Sequence, residues 1–180
     1  MSRNWMMLIG FALVSCSGQA FGQTGPSEEH KILKEDVGAW DCEMKMWMGG
    51  PGSEPMVVKG TEENKMMGDL WIVSTFKADF GGQPFEGRAV LGFDPSKKKY
   101  VGHWFDSMNP HISVMEGDYN KETKTMTMMT RGVGPDGKPS KGKNVMVYKE
   151  DGSRVFSMYM AMPGQDEMVK GMEIVYTKKN

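Results

Sequence analysis

Three histidines, one cysteine in the body of the chain, two carboxylates and three runs of methionine are the side chains of this 180-residue sequence whose chemistry goes beyond packing. A zinc centre needs three or four converging N, S or O ligands. Of His30, His103 and His111, the last two fall on adjacent predicted strands and could supply two ligands; otherwise the histidines read as exposed polar residues near a rim. Asp106 and Glu116 fall on the same side as Trp104 and Val114 when the strand register is carried forward. Two inward carboxylates could do acid–base chemistry, each raising the other's pKa, or anchor a polar end in an apolar pocket. The methionines recur at every second position: Met44, Met46 and Met48; Met126 and Met128; Met158, Met160 and Met162. Clustered thioethers suit Cu(I), or they replace leucine as an adaptable lining. There are 20 methionines against five leucines, so that lining would be unusually pliable. Cys42 has no histidine near it in sequence and reads as a plain buried thiol. The sequence contains no HExxH, CxxC, GxSxG or Walker-type glycine loop. A binding role therefore outranks an enzymatic one, and no catalytic residue, metal or cofactor is assigned.

The elements that must position these side chains are clearest over residues 81–108. Phe85, Gly87, Ala89, Leu91 and Phe93 alternate with Glu86, Arg88, Val90 and Gly92, which puts one set on each face of a strand. Asp94-Pro95-Ser96 is turn chemistry. With a loop over 95–98, Asp94 faces Lys99, Phe93 faces Tyr100, Leu91 faces Gly102 and Ala89 faces Trp104. Large residues then meet small ones on one face. His103 lies on the other face beside Val90. A slip of one residue would reverse every assignment.

The period of two persists along the chain. Ser27 reads as an N-cap, with Glu28 and Glu29 at the positive end of a short helix that stops near Gly38. Trp40, Cys42, Met44, Met46 and Met48 share one face of a first strand. A second strand covers 55–67. In the third, Leu70, Ile72, Ser74, Phe76, Ala78 and Phe80 share a face. After the central hairpin, strands follow over 111–119, 125–131, 141–149, 154–162 and 167–178, separated by turns such as Pro135-Asp136-Gly137, Asp151-Gly152 and Pro163-Gly164. Ten strands joined by short loops predict an all-β, antiparallel up-and-down barrel with one short N-terminal helix. An open sheet of that size would leave two unpaired edges. A barrel of ten strands is wide enough to enclose a cavity.

Residues 1–22 read as a targeting segment: Arg3, then a short apolar run over 5–14, too short to span a bilayer. Leu13-Val14-Ser15-Cys16 resembles a bacterial lipobox, which would place an acyl chain on Cys16; ordinary cleavage after Ala20 is the other exit. The expected organisation is a signal peptide at 1–22, a linker at 23–26 and one barrel domain at 27–180. Either exit predicts export, to the periplasm, to a membrane-anchored lipoprotein or to the medium. Cys42 is then the thiol left in the domain, so no internal disulfide forms. A net charge of −1 with interspersed signs offers nothing to nucleic acid.

Gly38-Ala39-Trp40, following a short helix at the head of the first strand, resembles the lipocalin and wider calycin signature. That resemblance implies that Trp40 closes the barrel's base under a basic residue from near the last strand, where Lys178 and Lys179 lie. GQPFEGRAVLGFD, KKYVGHWFDSM, the opening EEHKIL…VGAWDCEMKMW and the ending MEIVYTKK together resemble the bacterial family called domain of unknown function 1579, over about residues 27–179. That family brings no activity and no catalytic residues. Its likeness in shape to calycin barrels implies a small apolar ligand, by analogy of fold. The predicted lining is Phe76, Phe93, Tyr100, Trp104, Met158 and Met160, with Asp106 as polar anchor. Two other readings stand beside it: metal or haem binding through His103 or the clustered methionines, and a solid barrel acting as an interaction module.

Overall fold

The computed structural model describes residues 25–50, 52–134, 137–161 and 167–179. The targeting segment with Cys16, the Pro135-Asp136 turn, Met162 and the Pro163-Gly164 turn lie outside the described residues. One turn of 3-10 helix, Glu28–His30, runs into α1, Lys31–Glu35. Ten strands follow: β1 Gly38–Met46, β2 Met56–Met67, β3 Trp71–Asp79, β4 Pro84–Asp94, β5 Lys99–Asp106, β6 Asn109–Asn120, β7 Thr125–Val133, β8 Pro139–Tyr148, β9 Arg154–Ala161 and β10 Met168–Lys178. Each pairs antiparallel with its neighbours in sequence, and β1 pairs with β10, from Trp40 opposite Lys178 to Met46 opposite Met172. The sheet is closed, so no strand edge is left to template another chain.

The central hairpin has the expected register: Phe93 opposite Tyr100, Leu91 opposite Gly102, Ala89 opposite Trp104, and His103 beside Val90. Asp94 holds its turn by accepting hydrogen bonds from the Ser96 and Lys97 amides at 2.9 and 3.3 Å.

The next hairpin departs from expectation. Asp106 accepts from the amides of Met108 and Asn109, both at 2.9 Å, so the chain reverses within two residues and β6 starts at Asn109. The β5–β6 register shifts between Trp104 and Asp106. Trp104 therefore faces Ser113, while Val114 faces His103 on the outer surface. Glu116 shares that outer face and pairs with Lys97 at 2.9 Å. Asp106 and Glu116 thus point to opposite sides of the wall, and the proposed acid–base pair does not form.

Met48 also departs from its run. β1 ends at Met46, and Met48 is 80% exposed in the following loop. Met44, Met126 and Met128 are buried on inward positions. His30, expected at an exposed rim, is buried beneath the helix, edge-on to Phe93 at 5.9 Å.

The core has two clusters. One joins Trp40, Cys42, Met44, Val58, Phe76, Ile174 and Tyr176. The other joins Ile32 and Leu33 of the helix to Ile72, Tyr100, Met126 and Met128. The helix is the plug of one end, held by burial of its two aliphatic side chains against the barrel wall.

Candidate functional site

The plugged end is organised by charge. Arg154, at the start of β9, points inward and is buried. Its Nη1 contacts Asp36 Oδ1 at the C-terminus of α1, and its Nη2 donates to Glu62 Oε1 of β2 at 2.5 Å. Its guanidinium carbon lies 4.2 Å from the Trp40 ring centre and 4.5 Å from that of Tyr176, close enough for cation–π attraction. Asn64 Nδ2 donates to Glu62 Oε1 at 2.8 Å and to the Asp36 carbonyl at 3.0 Å. Tyr148 donates to Asp36 Oδ2 at 3.1 Å. Trp40 Nε1 donates to the same Asp36 carbonyl at 2.9 Å. Burial alone would lower the pKa of Arg154, but the carboxylates of Asp36 and Glu62 more than reverse this and hold it above its ordinary value. The guanidinium is thus permanently charged.

The basic residue over Trp40 is therefore chiefly Arg154, with Lys178 adding a second contact at 5.4 Å. Lys178 reaches the ring across Gly38, whose φ of +126° suits glycine; a Cβ there would stand 3.2 Å from the lysine stem. These groups serve structure, because each makes a hydrogen bond, ion pair or ring contact within the plug.

The opposite half of the lumen differs. Ser74, Ala89, Met115, Asn144, Phe156 and Met158 occupy inward positions by register and are all half-buried. Phe156 packs against the cluster around Trp40 and Phe76, and Met115 against the cluster beneath the helix. At the mouth Trp104 stacks on Phe85, with ring centres 6.5 Å apart and planes at 24°. Phe85 meets Phe80 and Phe76 edge-on at 5.4 and 6.1 Å. The Trp104 ring lies over Gly87, where a Cβ would fall 2.3 Å from it; only glycine permits that approach. Met46 and Met172 complete the apolar surroundings.

The residues predicted to line one pocket are distributed over the length of the barrel. Phe93 and Tyr100 lie against the plug, in contact at 5.2 Å, and the Tyr100 hydroxyl donates to the Glu29 carbonyl at 2.8 Å. Burial raises that phenol to about 12, so it remains a donor at neutral pH. Phe76 is buried between the two halves. Trp104 and Met158 face the lumen at the open end, and Met160, near the end of β9, is 44% exposed. Asp106 is occupied: besides the turn amides it accepts from Trp104 Nε1 at 2.9 Å, so it orients the indole. His103 stands on the outer surface, across the wall from the inward methionines, and the two cannot share a metal site. Among the described residues, no three His, Cys, Asp or Glu side chains are grouped to hold a metal ion.

Arg154, Asp36, Glu62 and Asn144 escaped prediction. A signal was present for two of them. Arg154 alternates in phase with Phe156 and Met158, and Asn144 with Met146, so each is a polar residue on an apolar face. Such a residue in a buried phase must have a partner or a purpose.

The sequence matches the family described as protein of unknown function (DUF1579) over residues 25–178. No curated protein matches it. Among solved structures, the crystal structure of Rv2717c from M. tuberculosis superposes with a TM-score of 0.62 at 12% identity, covering 87% of this chain and 100% of that one. The likeness at that identity is one of fold.

Proposed function

This chain belongs to the family described as protein of unknown function (DUF1579), and from that premise we propose that the open half of its barrel binds a small hydrophobic molecule. The observation that carries the reading is the half-buried inward wall from Ser74 through Ala89 and Met115 to Met158. A rigid wall of strands bearing Trp104, Phe85 and flexible thioethers matches the usual composition of small-molecule sites, apolar with few polar groups. The thioethers would let one pocket accept several shapes. The plug gives the pocket a floor.

The test is a titration with a polarity-sensitive dye and a panel of fatty acids. Saturable binding with a negative heat-capacity change is expected. Ala89→Trp, which fills the lumen opposite Trp104, should abolish it while leaving the far-ultraviolet circular dichroism unchanged. A wild-type protein that binds none of these, in a barrel of unchanged stability, would point to action through the outer surface. Cu(I) binding lost in Met158→Leu would point to the thioethers as metal ligands.

We also propose that the chain is exported and acylated at Cys16, on the strength of the Leu13–Cys16 pattern after a short apolar run. Mass spectrometry of the membrane fraction tests this: a mature form beginning at Phe21 would retain export and remove the anchor.

A further inference from the structure

We propose that Asn144 is the polar anchor of the lumen, and that the ligand is a neutral apolar molecule carrying a hydrogen-bond donor, such as a phenol, an alcohol or an amide N–H. This rests on the reading of the open half as a binding site.

Asn144 sits on the inward face of β8, directly across from Met128 on β7 and Met158 on β9. Its Nδ2 points at the Met115 sulfur, 3.7 Å away, and its Oδ1 is sealed from solvent without any hydrogen-bond partner. A thioether is a weak acceptor, so neither end of the amide is properly satisfied. Buried amides are otherwise almost always paired. Leucine or methionine would fill this position at no polar cost, as methionine does at Met128, Met146 and Met158. Asn64 also has an unpartnered oxygen, but its amide nitrogen makes two strong hydrogen bonds inside the plug and the residue has no access to the lumen. Among the described residues, Asn144 is the one that combines an unsatisfied amide with the half-buried inward wall.

The groups around it are flexible. A ligand reaches the carbonyl by moving thioethers, or the amide turns about its last torsion and presents its oxygen to the lumen. Either way the group left wholly without a partner is the carbonyl oxygen, an acceptor, and a donor on the ligand completes it. A carboxylate is disfavoured: among the described strand residues, the inward cations are Arg154 and Lys178, both committed over Trp40 at the plugged end. A carboxylate in the open half would be buried without a counter-charge. Asp106, held by Trp104 and its own turn, offers no competing anchor.

The experiment compares 2-naphthol, 2-methoxynaphthalene and 2-naphthoate by intrinsic fluorescence titration against wild type and Asn144→Leu. Wild type should bind 2-naphthol about tenfold more tightly than the ether, the usual size of one net hydrogen bond, and bind the carboxylate most weakly. In Asn144→Leu the naphthol and the ether should bind alike, and the apo protein should unfold at a higher urea concentration, because an unsatisfied amide has been replaced by an apolar side chain. Equal binding of naphthol and ether to wild type, a preference that survives in Asn144→Leu, or a lowered urea midpoint for that variant would each overturn the assignment of Asn144. Failure of all three probes to bind wild type would overturn the lumen as a binding site altogether.

Discussion

The two ends of this barrel are built from the same ten strands and solve opposite problems. At the plugged end Trp40 is 3% exposed, and its indole N–H, its ring face and the helix carbonyl above it are all engaged by neighbours. At the other end Trp104 is half-buried, its N–H is held by Asp106, and the inward wall beyond it is half-buried. One end is closed by burying one cation between two carboxylates; the other leaves one amide oxygen unpaired among thioethers. On the proposed reading, stability and binding are separated along the barrel axis: the plug is rigid and the mouth supplies the adaptability.

The largest expected effect tests whether charge pairing holds the plug. Arg154→Met leaves Asp36 and Glu62 buried without their partner, and breaking such a pair typically costs about 3–5 kcal/mol. Urea denaturation measures this. Adding Asp36→Asn and Glu62→Gln to the same chain should recover part of the loss. An Arg154→Met midpoint equal to wild type would mean that the helix stays in place by apolar packing alone.

The same substitution made at both ends sharpens the contrast. Trp40→Ala should cost about 3–5 kcal/mol, as large-to-small aromatic changes in a packed core do. Trp104→Ala should cost about 1–2 kcal/mol, since the ring is half-exposed and less of its area leaves water, yet it should reduce dye binding several-fold. Equal destabilisation by the two would erase the division between a structural end and a binding end.

Tyr100 gives the plug a pH dependence. Its folded pKa is raised to about 12 by burial, against about 10 for a free phenol. The folded state thus holds the proton more tightly than the unfolded one. The contribution is complete below pH 10 and is lost as pH rises through about 12. Tyr100→Phe should cost about 1 kcal/mol at neutral pH through the lost bond to Glu29, and stability should fall less steeply between pH 10 and 12 than in wild type.

The smallest effect is kinetic. Burial pushes the Cys42 thiol up to about 12, so at pH 8 almost none of it is thiolate. A thiol reagent such as dithionitrobenzoate should label Cys42 only in denaturant. Rapid labelling of the native protein would show that the plugged end opens.

How much could be read without coordinates follows the same division. Phe93 opposite Tyr100 and Ala89 opposite Trp104 were legible because the turn at Asp94-Pro95 fixes register locally, and register fixes the face. Glu116 was misplaced because the reversal at Asp106 is only two residues long, and a single shift changes the parity of the strand beyond it. Phe93 and Tyr100 have the right face but the wrong depth. Period-two alternation says in or out, and carries no information on which level of a closed barrel a residue occupies. Met160 shows the same limit at the other end, where an inward phase runs out into solvent.

What the sequence determined by itself is the class of fold. Ten alternating segments separated by turn residues leave a closed antiparallel barrel as the arrangement that buries one face of every strand and leaves no free edge. The helix that caps it and the glycine that admits a cation over Trp40 are also local signals. What only the tertiary structure decided is which polar residues meet. Asp36, Glu62 and Arg154 stand 26 and 92 residues apart along the chain, and no local pattern links them. They converge because barrel closure brings the end of α1, β2 and the start of β9 together at one end, and a charge taken out of water there needs its partners within hydrogen-bond reach. Asn144 is the reverse case: the fold surrounds it with thioethers and gives it no partner.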